Sequence, residues 1–287
     1  MKRLKETALS ENKKYTLGTF FVQIVVLLAS LFYMAPLYII INYAFKTKKE
    51  LYLGNPLAPA EGFNLENFFK AFERLDLSKT FVNTAFYTVA AVFILVIICG
   101  PAAWAIARNK GKFYKFAYIY FIIGILIPAQ ALFLPIYIVG YSTGLVNTRI
   151  GVILMFIATN ISFGIFLLTS FMNTVPVELE EAACIDGCSI YRTYFVIVLP
   201  LLKPAIATLV IMQSFQIWND YLMSSLFVSS NQLKPMTVAI QSLFSQQTSD
   251  YSTAFAAIVI SVLPIVLLFM FLQKYFIKGM TVGAVKG

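Results

Sequence analysis

Six long apolar runs dominate the chain, separated by shorter polar stretches. They cover about Leu17–Phe45, Phe81–Ala107, Phe113–Val139, Gly151–Met172, Ala205–Val228 and Ala254–Phe276. Each is long enough for a helix to cross a bilayer core, which takes roughly 20 residues. The runs are continuous rather than alternating, and they are far longer than a barrel strand. The pattern therefore predicts an all-α membrane protein of six transmembrane helices. The first run is too long for the apolar core of a signal peptide and has no clear small-x-small cleavage site, so it is expected to be a retained anchor. The expected organisation is a terminal segment over 1–16, a six-span domain over 17–276, and a tail over 277–287.

Two polar stretches carry patterns of their own. Between the first two spans, Leu65, Phe68, Phe69, Phe72 and Leu75 recur at helical spacing with charges between them. They predict an amphipathic helix at the interface, capped by Asn64. It either meets an external partner or packs against the bundle. Between the fourth and fifth spans lies an acidic loop, over about 174–203. Pro176 suits a first helical turn, and Glu178, Glu180 and Glu181 complement the dipole there. Together with Asp186 they are expected to sit in water and face something. Ala182 and Ala183 keep the helix thin, and Gly187 can take the positive φ that ends it. A second short helix is expected from about Ser189 to Val198, with Pro200 and Pro204 marking the return to the membrane.

Composition agrees with lipid as the main solvent. Of 287 residues, 60% are hydrophobic and 12% charged, against about 25% charged in a soluble domain. The net charge of +9 does not call for nucleic acid, because the basic residues are scattered. They read as topology signals. Fourteen of the 22 Lys and Arg fall on the side of the termini and the acidic loop, and eight on the other. That predicts both termini and the loop in the cytoplasm.

Polar groups inside spans are costly and tend to face a cavity or another helix. In the fifth span Gln213, Gln216 and Asp220 share a face, with Asn219 beside it. Trp218 could stack on a sugar ring or sit in an aromatic belt. Amides and a carboxylate suit hydroxyl-rich solutes, and equally could hold helices together. Pro128 and Pro135 interrupt the third span around Gln130, which places that span near a translocation route or gives a plain kink. The chain has no histidine and no phosphate-loop motif, so neither ATP hydrolysis nor a metal site is expected of it. Cys184 and Cys188 alone make a poor metal site.

The spacing E-A-A-x3-G-x9-I-x-L-P, carried by Glu181, Ala182, Ala183, Gly187, Ile197, Leu199 and Pro200, resembles the coupling loop of binding-protein-dependent ABC importers. Pro128-Ala129-Gln130 with Pro135, the run Trp218-Asn219-Asp220, and the tail with Lys278, Gly279, Gly283 and Lys286 resemble the permease subunits of carbohydrate importers, of the maltose-transporter second-permease type. The resemblance implies a type I importer permease fold in a bacterial plasma membrane. It implies a second homologous permease, two ATPase subunits that carry ATP and Mg, an extracytoplasmic solute-binding protein, and a sugar solute, an oligosaccharide before a monosaccharide. The chain itself would be non-catalytic and bind no cofactor. Gly279, Gly283 and Lys286 would reach the ATPase interface. An ion-coupled secondary transporter, an importer permease for a non-sugar solute, and a membrane protein without transport activity are the rival readings.

Overall fold

A computed structural model describes residues 17–244 and 250–284. Five helices are long and apolar enough to cross a membrane, or six if a bent pair is counted as one span. In chain order they are α1 (Leu17–Phe45), α4 (Leu77–Arg108), α5 (Lys112–Leu126) with α6 (Phe133–Ser142), α7 (Arg149–Met172), α9 (Ile190–Trp218) and α12 (Tyr251–Ala284). Short helices fill the connections: α2 (Lys48–Leu53), α3 (Glu66–Arg74), α8 (Glu178–Ile185), α10 (Leu222–Phe227) and α11 (Met236–Gln241). Every described element is helical.

The core lies where α4, α7 and α9 meet. Tyr87, Leu95, Phe156, Ile165, Leu168 and Leu209 are buried there. Small residues let the helices close up: a Cβ on Gly164 would stand 2.7 Å from the Cys99 sulfur. In lipid, helix association depends on this close packing. The middle of α1, by contrast, buries nothing within this chain.

Three elements differ from the sequence expectation. The third span is not one kinked helix. Its two halves, Lys112–Leu126 and Ala129–Ser142, meet at 99°. Pro128 sits at the break, whereas Pro135 falls in the first turn of α6, where its missing N–H costs nothing. The fifth span begins earlier and ends earlier than expected, running unbroken from Ile190 to Trp218. Pro200 and Pro204 lie inside this helix rather than ending one. A π-helical stretch over Thr193–Val198 just ahead widens the turn, which accommodates the amide bonds the prolines cannot make. Leu222–Phe227 is a separate short helix, not the end of the span.

The third difference concerns α3. Its expected apolar face is split: Leu75 is buried and Phe68 half-buried against the Phe45 ring, whereas Phe69 is 68% and Phe72 52% exposed. Asn67 and Ala71 are buried instead. Asn67 donates from Nδ2 to the carbonyls of Ala44 and Lys46, both at 2.9 Å. Carbonyls at a helix end have no partner within the helix, and a side-chain amide satisfies them. Asn64 does accept from the Glu66 N–H at 3.0 Å, one position before the formal cap Leu65. Arg74 and Lys48 both pair with Asp250, at 2.8 and 3.3 Å. These ties fasten α2 and α3 to the start of α12.

The segment 1–16 and residues Val285, Lys286 and Gly287 lie outside the described residues. The region expected to be a tail is helical as far as Ala284. Gly279 and Gly283 therefore sit inside α12, where a glycine costs about 1 kcal/mol relative to alanine without ending the helix.

Candidate functional site

The acidic loop folds as a bent pair of helices. Val177 caps α8, Pro176 lies just ahead of the cap rather than in the first turn, and three glutamates occupy that turn. Gly187 takes φ +77°. Its N–H donates to the Cys184 carbonyl at 3.1 Å, and the Cys188 N–H donates to the Ala183 carbonyl at 2.9 Å. This pair of bonds around a left-handed glycine is the Schellman ending of a helix. Ser189 then starts the next helix, its hydroxyl accepting from the Arg192 N–H at 3.3 Å. The knuckle is thus sharp, internally bonded, and continuous with the α9 span.

Its two faces differ. Glu178, Glu181, Ala182, Asp186 and Gly187 are exposed. Nothing lies within 4 Å of where a Gly187 Cβ would be, so that surface is open to a close approach. Ala183 and Val198 are buried, Ile197 and Leu199 half-buried, and Pro200 exposed. The inner face packs Met172, Val175, Tyr194, Val198 and Leu202 into one apolar cluster.

Glu180 was expected to face water with the other acids, and it does not. Its side chain is only 12% exposed. Arg108, at the end of α4, donates from Nε to Oε1 at 2.8 Å, and Trp104 donates from Nε1 to Oε2 at 2.7 Å. Arg108 also donates from Nη2 to the Val175 carbonyl at 2.9 Å. The Trp104 ring lies 5.4 Å from that of Tyr194. Gly100 leaves room for this ring, since a Cβ there would come 2.5 Å from the Tyr194 hydroxyl. Sequence reasoning missed Trp104, Arg108 and Tyr194. The available signal was a charge ending an apolar run, which served only to orient the chain.

A second polar locus lies at the other end of α9. A cavity of about 190 Å³ opens between the broken third span, α7 and α9. It brings together Gln130, Gln216 and Asp220, and adds Thr159 and Asn160 from α7, which the sequence reading did not single out. Gln213 is not among its lining residues. It is 1% exposed, on the face of α9 shared with buried Leu209 and Ile217. Its Oε1 has no hydrogen-bond partner among the described residues. Trp218 is also elsewhere. Its indole donates to the Ser261 carbonyl at 2.9 Å and its ring meets Phe81, so it packs α9 against α4 and α12. Asn219 is exposed and donates to the Phe215 carbonyl of its own helix. No group of three or more potential metal ligands occurs among the described residues.

Comparison with known proteins fits this architecture. Residues 97–282 match the family described as binding-protein-dependent transport system inner membrane component, and the chain belongs to that family. The matched region holds both the knuckle and the cavity. Among its relatives, the melibiose/raffinose/stachyose import permease protein MelC of Bacillus subtilis is 35% identical over 92% of this chain and 97% of its own. The arabinooligosaccharides transport system permease protein AraQ of Halalkalibacterium halodurans is 33% identical over 78% of this chain and 80% of its own. Within the family, then, this chain is a permease of the carbohydrate-importer branch. A chain from a bacterial ABC transporter involved in the import of the acidic polysaccharide alginate shares the fold, with a TM-score of 0.77 at 21% identity, over 91% of this chain and 99% of that one.

Proposed function

We propose that this chain is one of two homologous permease subunits of an ATP-driven oligosaccharide importer in a bacterial plasma membrane. The α8–α9 knuckle docks on an ATPase subunit, and an extracytoplasmic binding protein delivers the sugar to the opposite side. Both termini and the knuckle face the cytoplasm, a reading supported by the excess of Lys and Arg on that side. ATP and Mg belong to the two ATPase subunits, and this chain binds no cofactor and performs no catalysis.

The observation that carries the reading is the knuckle's two-sided build. An open face of Glu181, Ala182 and Gly187 offers a thin surface and one carboxylate for a basic groove. The opposite face is fastened to α4 through Glu180, Arg108 and Trp104. Ile197, Leu199 and Pro200 lead rigidly into α9. When two ATPase subunits close on ATP, a part built this way moves as a body and carries α4 and α9 with it. The site between the permeases then opens alternately to each side. The solute passes by the polar groups of the third and fifth spans, Gln130, Gln216, Asn219 and Asp220, with Gln213 buried inside the bundle and Trp218 holding α9 in place. The end of α12, with Gly279 and Gly283, leads toward the ATPase interface, which Lys286 would also meet.

Cys184, exposed on the knuckle, provides the test. In the assembled importer, Cys184 is expected to cross-link to cysteines placed along the groove of the ATPase subunit, with a pattern that changes on adding ATP. A knuckle that reaches no ATPase subunit in any nucleotide state would overturn the proposal.

A further inference from the structure

We infer that the cavity between the broken third span, α7 and α9 is a subsite for one neutral pyranose unit of the imported sugar, built within this subunit. The inference rests on the sugar-import reading above. The space is about 190 Å³, below the ~300 Å³ at which pockets begin to hold whole ligands. It suits one ring of a longer solute.

Two of its polar side chains are uncommitted: Gln130 and Gln216 stand exposed at the rim, and neither side chain forms a hydrogen bond among the described residues. Each amide offers two donors and an acceptor, which suits neighbouring hydroxyls that both give and take. The Asp220 carboxylate accepts at Oδ1 from the Ser224 N–H and hydroxyl, both at 2.8 Å, and also meets the Met223 N–H. Asn160, 3% exposed, donates from Nδ2 to the Phe156 carbonyl and to the Thr159 hydroxyl, which fixes the amide and leaves Oδ1 uncommitted. Polar groups left unpaired inside a membrane protein are costly unless a ligand or water completes them. Phe133 and Phe156 also line the space, and aromatic walls match the apolar faces of a pyranose.

The cavity selects for charge as well. No Lys or Arg lines it, and Asp220 is its one ionisable group. A carboxylate without a cation beside it repels a uronate and tolerates a neutral ring. The 99° break at Pro128 is what turns Gln130 toward α7 and α9. Asn160 lies about 16 Å along α7 from Arg149 at 1.5 Å per residue, so the subsite sits near mid-membrane and toward the end of α9 remote from the knuckle.

The test uses the complete importer in proteoliposomes with its binding protein and ATP. Uptake of radiolabelled raffinose, maltotriose and trigalacturonate is measured for wild type, the double variant Gln130→Ala/Gln216→Ala, and Ser30→Ala on α1. Wild type is expected to take up at least one neutral sugar and to discriminate against trigalacturonate. The double variant is expected to lose about tenfold in initial rate, as for one or two lost hydrogen bonds, with both ATPase subunits still bound. Ser30→Ala should stay within about twofold, because its hydroxyl bonds only to the Val26 carbonyl of its own helix. Should the double variant not assemble, Gln216→Asn is expected to lower the rate severalfold. Unchanged rate and KM in the assembled variants would overturn the subsite, and so would a preference for trigalacturonate. Loss of the second permease from the purified variant would assign the amides to the subunit interface and overturn it too. Wild type that binds its ATPase subunits yet takes up none of these sugars would overturn the sugar reading itself.

Discussion

The two ends of α9 handle polar groups in opposite ways. At the knuckle, Glu180 spends both carboxylate oxygens on Arg108 and Trp104, and Arg108 spends a further N–H on Val175. At the cavity, Gln130 and Gln216 spend nothing on the protein. A fully paired polar cluster with little solvent is stiff, because every displacement breaks a bond that water cannot quickly replace. An unpaired cluster holds no shape for its own sake and keeps its bonding capacity for something else. One helix thus joins a stiff end, suited to receiving a push, to an open end, suited to receiving a solute.

The sharpest way to break the stiff end is Gly187→Val. A β-branched residue at φ +77° is strained whatever the space around it, and in the docked state its side chain would hold the ATPase surface away. Uptake is expected to vanish, and the ATPase subunits should fail to co-purify while the chain still inserts in the membrane.

A more selective cut is Glu180→Gln. Breaking a mostly buried ion pair costs about 3 kcal/mol. The expected signs are faster backbone hydrogen exchange over 174–188 and ATP hydrolysis that proceeds with reduced uptake. Retained coupling with unchanged exchange would show that the clasp carries no load. Gly100→Leu tests the same contact from α4 by displacing the Tyr194 ring, with an expected loss of about 1–3 kcal/mol for overpacking and a lowered melting temperature.

The smallest effect is expected at Asp250, where paired and exposed charges mix. Burial opposes its ionisation, but the Lys48 ammonium and the bonds from Thr253 hold its carboxyl below the usual range. Its partners Lys48 and Arg74 are half-exposed, so Asp250→Asn should cost only about 1 kcal/mol. A depressed carboxylate stabilises fully above its unfolded pKa of about 3.9. The difference in melting temperature between wild type and Asp250→Asn should therefore be complete at neutral pH. It should shrink as pH falls below that value toward the lower folded pKa. A difference that grows on acidification would contradict the ion cluster.

Much of the knuckle was legible before any coordinates. Its glycine, its acids and its spacing are local signals, and a Schellman turn is decided by residues that touch along the chain. The Glu180 clasp was not legible, because 72 residues separate it from Arg108. Nothing in the periodicity of either segment marks the pair. The same holds for the fifth span. Gln213, Gln216 and Trp218 look alike as polar or aromatic positions in an apolar run, yet one is buried in the core, one stands at the cavity rim and one packs α9 against its neighbours. Helical spacing says which residues share a face. It does not say which neighbour that face meets.

What the amino-acid order determined by itself was the presence of several membrane-long helices, an interruption of the third span near Pro128, the bend at Gly187 and the spacing of the coupling motif. Those follow from the length of the bilayer core, the missing proline N–H and the φ range open to glycine, all of which act within a few residues. Only the tertiary structure decided that Pro200 and Pro204 continue a helix, that α3 turns Phe69 and Phe72 outward, that Glu180 is an anchor, and that Asn160 joins Gln130, Gln216 and Asp220 around one space. These outcomes depend on which surfaces meet across the bundle, and that is set by packing among helices far apart in the chain.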